Sequence, residues 1–422
     1  MKNDSDYAAF VALDWGDEHH AFAWRLADTD TLEQGRFAAT PEALHEWLET
    51  LHSRCGERPV ALAIEAGNPS LLLALLEHRW LTLYPIHPAT SARFRKALCP
   101  SGAKDDGPDA CTLISLLCQH RDRLSPLRLD TPATRELDAL VRLRRAAVDR
   151  RTGLTNTLGR VLKNYFPQAL QLAGDDLAAP LARAFLRRFP ELADVKKCRP
   201  DTLKKFYHEH HVRSEPCIEQ RLALVPCARA LHTDRALIEP AKLEVALLLD
   251  QLEVLARHLA QIEQRAATAF AAHPQAALFA ALPGAGAALA PRLLVAFGDQ
   301  PARYPSAAAL QKYSGVAPVR EKSGRQVWTH WRWNAPAFLR QSFVEWAGQT
   351  VIRSAWAGAF YRQQQQAGKT HHAILRALAF KWIRILWRCT RDHTAYDEAR
   401  YLQALHRKNS PLLAWLEQPL CP

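Results

Sequence analysis

Four carboxylates in this sequence stand at positions where they could hold a metal ion. Asp14 ends one predicted buried strand, Glu65 ends another, and Asp106 and Asp109 lie three residues apart at the start of a predicted helix. Acids from two neighbouring strand ends and a helix start supply the hard oxygen ligands that Mg²⁺ prefers, as one ion or a pair. The pattern therefore predicts a metal site for phosphodiester chemistry.

Each of these acids, taken alone, has a plainer explanation. Carboxylates are common at strand ends, and Asp106 or Asp109 could simply stabilise the N-terminus of the helix through its dipole. The acidic stretch "SGAKDDGPDAC" (101–111) is by default a solvated loop ahead of a helix. The order of the four acids, each at an element end that one fold requires, favours the metal site over these interpretations.

The elements that would position the acids alternate between strand-like and helix-like patterns over residues 7–120, in the order βββαβαβα. The segment "TPEALHEWLETLHSRC" opens with a threonine cap and a proline at the first helical position, which is typical of a helix start. The last helix is predicted from Pro108. This order is that of a ribonuclease-H-like fold, an α/β layer structure, and we assign it to residues 1–125.

A helical region is predicted from residue 126 to residue 275. Apolar residues at three- and four-residue steps indicate a strongly basic helix over 131–165, and near-heptad leucines indicate a helix suited to coiled-coil pairing over 240–270. Between them, 166–239 is expected to form short helices broken by prolines. We interpret the two long helices as a stalk that packs on itself or on a second subunit.

The remainder, residues 276–422, is predicted to be a mainly helical domain. The segment "LFAALPGAGAALAPRLLVAFGD" indicates helix, glycine-rich turn and helix, an arrangement that can present backbone N–H groups to a phosphate. Any tight turn between helices favours glycine, however, so this signal alone is weak. The stretch 328–390 is predicted to be helical and rich in Trp and Arg.

Three N-terminal pieces, "ALDWGDEHH", "AIEAGNPSLLLALLEHRW" and "AKDDGPDA", together resemble the DEDD-type transposases of bacterial insertion sequences related to the pilin-inversion recombinase Piv. The N-terminal domain of that family is similar to the Holliday-junction nuclease RuvC. The family reads Lys-Thr-Asp-x-x-Asp-Ala at the third piece; Lys104, Asp106 and Asp109 fit, while Asp105 replaces the threonine and offers an alternative ligand.

The C-terminal pieces "LPGAGAALAPRLLVAFGD" and "YSGVAPVREKSGR" are similar to the transposase domain of the same family, so the resemblance covers nearly the whole chain. The nucleophilic serine of the family falls within the second piece, and Ser323 occupies its place. Ser314 stands where the family often has alanine and ranks below it. The tryptophans of "RQVWTHWRWNAPAFLRQSF" depart from the basic, glycine-containing sequence usual there.

The resemblance implies a metal-assisted serine recombinase. A serine hydroxyl is a poor nucleophile unless a base or a metal activates it, and no Ser-His-Asp spacing surrounds Ser323. The family implies instead that the four acids and the serine come together across domains or subunits. Mg²⁺, in two ions with Mn²⁺ as a substitute, would polarise the phosphate, and Ser323 would form a transient phosphoserine bond to DNA.

Charge favours a polyanionic partner, since 55 Lys and Arg against 43 Asp and Glu leave a net charge of +12. The family implies DNA, at the element ends and at the target, and a structured bridge RNA that pairs with both. Base pairing would then determine which DNA sequence is selected, while the protein contacts the backbone and recognises the shape of the nucleic acid. The candidate contacts for nucleic acid are Lys104, Arg142, Arg144, Arg145, Arg320, Lys322 and Arg325.

Other features remain open or point to ordinary structure. Trp328, Trp331 and Trp333 alternate, which indicates an extended stretch whose aromatic face stacks on an unpaired base or packs on a helix. Cys and His residues between 198 and 227 match no compact zinc module. Nine dispersed cysteines without a secretory signal, and no apolar run of about 18 residues, indicate a bacterial cytoplasmic protein without a membrane span.

The sequence thus predicts a homo-oligomeric recombinase, a dimer or a tetramer, that cuts and rejoins DNA strands under RNA guidance. Two alternatives stay open. A metal-dependent junction nuclease would use the same acids with water in place of the serine, and a nucleic-acid-binding protein with a degenerate site would cut nothing.

Overall fold

The computed structural model describes residues 7–98, 106–300, 303–333 and 335–416, with only the backbone given for 98 and 106–108. The chain divides into two compact units between Leu129 and Asp130. The predicted stalk and the predicted C-terminal domain both fall within the second unit. Across the described ranges, no helix combines the length and the apolar character needed to cross a membrane.

The first unit contains a five-stranded sheet in the order β3-β2-β1-β4-β5. β1, β2 and β3 pair antiparallel, whereas β4 and β5 run parallel to β1. The strands are β1 (Ala9–Asp14), β2 (His19–Leu26), β3 (Glu33–Ala38), β4 (Val60–Glu65) and β5 (Leu81–Ile86).

Helices cover both faces of this sheet. One face carries Leu13 and Ile64 and packs on α1 (Pro41–Cys55) and α2 (Pro69–Leu76). The other face carries Ala12, Ala63 and their neighbours and packs on the last helix, α4 (Asp106–His120), with α3 (Pro88–Leu98) beside it. The predicted ribonuclease-H-like α/β fold is confirmed.

Two details of the predicted element order are wrong. The structure inserts α3 between β5 and the last helix, and the last helix begins at Asp106 instead of Pro108. The α3 sequence, "PATSARFRKAL", mixes small, polar and basic residues with few apolar ones, so it shows no clear helical period.

The second unit opens with the long helix α5 (Pro132–Tyr165), which packs along α11 (Arg235–Ala271) as the predicted stalk requires. Short helices between them build a separate core around Phe185, Phe206 and Tyr207. They are α6 (Ala169–Leu172), α7 (Pro180–Arg188), α8 (Leu192–Lys197), α9 (Pro200–Glu209) and α10 (Glu215–Cys227).

The rest of the second unit packs around three buried tryptophans, Trp346, Trp356 and Trp382. Trp382 lies between the other two, with ring centroids 4.9 and 4.7 Å away. The elements are α12 (Ala276–Ala280), α13 (Gly286–Phe297), α14 (Ala307–Tyr313), β6 (Val319–Ser323), β7 (Gln326–His330), α15 (Ala337–Thr350), α16 (Ala355–Gln366), α17 (His371–Arg391) and α18 (Glu398–Arg407).

The helix predicted over 328–390 is wrong at its start, because β6 and β7 form a hairpin and the next helix begins at Ala337. Val327, Trp328 and Thr329 are β-branched or aromatic residues that favour strands. The extended conformation expected from the alternating tryptophans is therefore correct as far as His330.

A hydrogen-bond network around Asp299 fixes the start of α5. Its carboxylate accepts from the hydroxyls of Thr131 and Thr134, the latter at 2.6 Å, and from the Thr131 backbone N–H at 3.0 Å. His273 lies 2.8 Å from the Thr134 hydroxyl. Burial by itself would raise the pKa of Asp299, but these hydrogen bonds hold it at about 2.

Candidate functional site

Two of the predicted acids lie side by side in the first unit. β1 and β4 are parallel, with Leu13 opposite Ile64, so Asp14 and Glu65 follow in register at the carboxyl ends of adjacent strands. Side chains alternate along a strand, and Ala12 and Ala63 face α4. Asp14 and Glu65 therefore project toward the same face of the sheet, the one that α4 covers.

The third acid, Asp109, lies in the first turn of α4 and forms an ion pair with Arg95 of α3. The Asp109 side chain is 19% exposed and that of Arg95 26%. The hydrogen bond that the Arg95 guanidinium donates to the Asp109 carboxylate raises the pKa of Arg95, and the charges of Glu65 and Asp14 raise it further. All three carboxylates thus act on one guanidinium.

The residue types fit a hard divalent cation, because Asp14, Glu65 and Asp109 bring carboxylates from three elements to one face of the sheet, and carboxylate oxygens are the ligands that such a cation prefers. Arg95 supplies the positive charge in this conformation, and no three His, Cys, Asp or Glu side chains of the described ranges lie close enough together to hold one ion. A metal ligated by Asp109 would compete with Arg95. The side chain of Asp106, and all of Lys104 and Asp105, lie outside the described residues.

Trp15 fixes the end of β4 beside these acids. Its indole N–H donates to the carbonyl oxygen of Glu65 at 3.1 Å. The ring lies so close to Gly67 that a Cβ there would come within 2.6 Å of it. Glycine at 67 therefore lets the loop after β4 pass under the ring, which holds the backbone of Glu65 in place.

Ser323 lies in the second unit at the end of β6, where a two-residue turn leads into β7. Ser323 pairs with Gln326, and Gly324 has a φ of 58°, as two-residue hairpin turns favour at their first central position. Residues 320–329 are all exposed, on both faces of the hairpin. The Ser323 hydroxyl is therefore accessible at the tip of a projecting β-hairpin.

The two faces of the hairpin differ in character. Opposite residues of an antiparallel pair share a face, so Ser323 lies on the face that carries Glu321, Trp328 and His330. The imidazole of His330 lies 2.8 Å from a Glu321 carboxylate oxygen and 2.7 Å from the carbonyl oxygen of Trp331. The hydrogen bond with Glu321 raises the pKa of His330, and the Trp331 carbonyl raises it further, which favours the imidazolium form.

Ser314, the second candidate, is in a different environment. It follows α14 directly, is fully buried, and its hydroxyl donates to the carbonyl oxygen of Gln311 at 3.3 Å. A buried hydroxyl that already caps a helix end is poorly placed to attack a DNA strand. Of the two serines, Ser323 is the accessible one.

The predicted basic contacts divide into two groups. On α5, Arg142 pairs with Asp138, Arg144 with Glu263, and Arg145 with Asp149 and Glu345, so acidic neighbours within the chain already offset these charges.

The basic residues of the hairpin are different. Arg320, Lys322 and Arg325 are exposed, and among the described residues none of them forms an ion pair with an acidic side chain. The one acid of the hairpin, Glu321, is engaged by His330. The hairpin therefore carries a net positive charge around the Ser323 hydroxyl.

Sequence reasoning missed three residues of these sites, Arg95, Trp15 and the paired His330. The partner of each depends on contacts between segments or strands that no local motif encodes. The alternation of "VWTH" could have placed His330 and Trp328 on one face.

Comparison with known proteins agrees with these observations. The model of DEDD-type transposases of IS110 elements matches residues 11–167, and the model of transposases of the IS116/IS110/IS902 family matches residues 276–362. The first match contains β1, β4 and α4, and the second contains the hairpin. The class of protein is therefore a transposase with a ribonuclease-H-like domain.

Relatives extend the similarity along the chain. The mini-circle protein of Streptomyces coelicolor, named as a candidate transposase for IS117, is 26% identical over 94% of this chain and 97% of its own length. The 43.6 kDa protein of insertion element IS110 from the same organism is 24% identical over the same shares. The pilin gene-inverting protein of Moraxella bovis is 29% identical over 29% of this chain and 39% of its own.

The chain belongs to the IS110 family of transposases. It is accordingly a DNA-processing enzyme, and DNA is its partner.

Proposed function

We propose that the protein cuts and rejoins DNA strands at the ends of an insertion sequence, with Ser323 as the nucleophile. The observation that carries this proposal is the position of Ser323, exposed at the tip of a basic hairpin, while Ser314 is buried. The acids Asp14, Glu65, Asp106 and Asp109 would hold a divalent cation, Mg²⁺. A bound cation would polarise the scissile phosphate and offset the charge that develops on it.

The chain's own groups do the rest of the chemistry. The Ser323 oxygen attacks phosphorus, the hydroxyl proton leaves to solvent or a base, and the displaced DNA oxygen takes a proton and departs as a free hydroxyl. The phosphoserine bond conserves the energy of the broken phosphodiester. Attack on it by the hydroxyl of another strand restores Ser323 and completes the exchange.

Arg320, Lys322 and Arg325 contact the DNA phosphates around the serine. Their charges are not offset by neighbouring acids among the described residues, so each can displace counterions from the strand. Arg142, Arg144 and Arg145 serve as secondary contacts, since binding there exchanges one ion pair for another.

A structured bridge RNA directs the choice of DNA, so that base pairing supplies sequence specificity and the protein supplies backbone contacts. The support for this is the family resemblance together with the net charge of +12. A chain that reads sequence itself would need a base-reading helix or ribbon for each element end.

The active form is a homo-oligomer assembled through the stalk. α11 buries Leu248, Leu252 and other residues against its own chain, yet Leu243 and Leu247 remain 74% and 58% exposed one turn apart. An apolar groove of about 700 Å³, lined by Gly153, Leu154 and residues of α11, lies between α5 and α11. Burial of this apolar surface against a second copy would be favourable.

The experiment is adduct trapping with DNA that carries the element ends and the guide RNA, in Mg²⁺. Ser323→Ala is expected to abolish the covalent protein–DNA adduct while DNA binding persists. Thr329→Ala is the matched control, because it removes another exposed hydroxyl from the same hairpin. Asp14→Asn is expected to prevent the adduct although the serine is intact.

The results separate the alternatives. Cleavage without an adduct in the Ser323→Ala variant would indicate a nuclease that uses water. Binding without any metal-dependent cleavage in the unmodified protein would indicate a non-catalytic nucleic-acid-binding protein. An adduct that survives Ser323→Ala would contradict the proposed nucleophile.

A further inference from the structure

Trp328 is an exposed aromatic side chain close to the proposed nucleophile. It is 43% exposed and lies on the same face of the hairpin as Ser323. Trp328 lies directly opposite Glu321, one same-face step along the ladder from the pair of Ser323 and Gln326. Same-face positions along a strand are separated by about 7 Å, which is close to the spacing of neighbouring nucleotides in an extended strand.

The ring of Trp328 has no stacking partner among the described residues, whereas Trp331 has two. The guanidinium groups of Arg376 and Arg340 lie 3.9 and 5.3 Å from the centre of the Trp331 ring. Trp331 is thus held by its own chain and secures the end of the hairpin. Trp328 presents a free aromatic face to solvent.

The surroundings of Trp328 match a nucleic-acid strand. Arg320 and Lys322 project from the opposite face of the hairpin, and Arg325 lies in the turn. Glu321, the acid that could repel a phosphate near Trp328, is paired with His330. A strand that places its phosphates against these cations at the hairpin edge would bring a base over the indole.

We propose that Trp328 stacks on an unpaired DNA base next to the phosphate that Ser323 attacks. The proposal rests on the proposed role of Ser323, which places DNA, and not RNA, at this face. Stacking would hold the neighbouring nucleotide out of the duplex and orient the phosphate toward the hydroxyl. Because every base has an aromatic face, the contact would tolerate any sequence.

The test uses the full-length protein with the Ser323→Ala substitution, so that DNA binds without reaction. The probe is an oligothymidylate about 16 nucleotides long, the upper end of common single-strand site sizes, with one 2-aminopurine whose fluorescence falls on stacking. Trp328→Leu is expected to weaken binding by about ten- to a hundredfold, as loss of one base–aromatic stack does elsewhere, and to remove the quenching. Trp328→Phe, which keeps an aromatic face, should restore most of both.

Trp333→Leu is the matched control, since Trp333 is 79% exposed but follows β7 outside the hairpin ladder. Equal effects of the two leucine substitutions, or none, would overturn the proposal. If the Trp328-dependent quenching is stronger with an oligouridylate of the same length, the ring stacks on RNA. That result would also overturn the proposal.

The outcomes distinguish this inference from the proposed function. If Ser323→Ala still forms an adduct on element-end DNA while Trp328-dependent quenching persists, the nucleophile is wrong and the stacking contact stands. If Ser323→Ala blocks the adduct but Trp328→Leu changes neither binding nor quenching, the nucleophile stands and the stacking contact is refuted. The Phe variant also controls for the fold of the hairpin, because it retains a strand-favouring aromatic residue.

Discussion

Substitution of Arg95 by glutamine tests the acidic site directly. In the structure Arg95 pairs with Asp109, and its pKa is raised by Asp109, Glu65 and Asp14 together. Arg95→Gln removes a positive charge that acts on all three acids. Without the guanidinium, the negative charges of the three carboxylates should repel one another more strongly until a divalent cation replaces it.

The magnitude follows from the geometry of the pair. Both side chains are more than two-thirds buried, and a hydrogen bond between charged groups in such a place contributes about 1.5–3 kcal/mol. Metal binding at the proposed site would have to disrupt this pair first. Arg95→Gln is therefore expected to raise the affinity for Mg²⁺ or Mn²⁺ by about ten- to a hundredfold, at about 1.4 kcal/mol per tenfold.

The assay is thermal unfolding over a metal titration, with EDTA as the metal-free reference. Without metal the variant should unfold at a lower temperature than the unmodified protein, and added metal should stabilise it more steeply. Arg93→Gln is the control, because Arg93 lies on the same helix and is exposed. Equal or weaker metal stabilisation of Arg95→Gln, relative to this control, would refute the idea that Arg95 and the metal compete for the same carboxylates.

Three further results are expected. Asp299→Asn should lower the free energy of unfolding by about 2–4 kcal/mol in a urea titration, since three donors lose a charged acceptor. Because the pKa of Asp299 is held at about 2, below its ordinary value, this contribution is present at neutral pH and is lost as the pH falls toward 2. The pKa of His330 is raised, so its pairing with Glu321 should be complete below about pH 6.5, the ordinary value, and lost as the pH rises through the elevated pKa. In an NMR titration, Glu321→Gln should lower the pKa of His330. Leu243→Glu with Leu247→Glu should yield a smaller species in light scattering, and an unchanged mass would argue against assembly through α11.

The positions of Asp14 and Glu65 at strand ends could be predicted from the sequence because they depend on regular patterns. Buried strands are visible as apolar runs, and parallel pairing of the first and fourth strands puts Asp14 and Glu65 at one edge. Arg95 could not be found in this way. Its role depends on an ion pair between two helices of weak periodicity, a contact set by packing and not by local composition.

The hairpin and the basic helix α5 also show what could not be predicted from the sequence. The stretch 328–390 is predicted to be helical, although the alternating tryptophans at its start indicate an extended stretch. A glycine turn and strand-favouring residues form an exposed ladder there as far as His330. Arg142, Arg144 and Arg145 on α5 suggested a nucleic-acid surface, but charge content alone does not reveal that acids on the same and neighbouring helices pair with them.

The hairpin that carries Ser323 also has a consequence for how such a protein can change. Residues 320–329 contribute no buried side chain to any core, so replacing them alters little of the free energy of folding. The sequence of this tip can therefore vary while the tryptophan core stays constant. A segment that is nearly neutral for stability is a natural place for selection, or for an engineer, to alter a transposase.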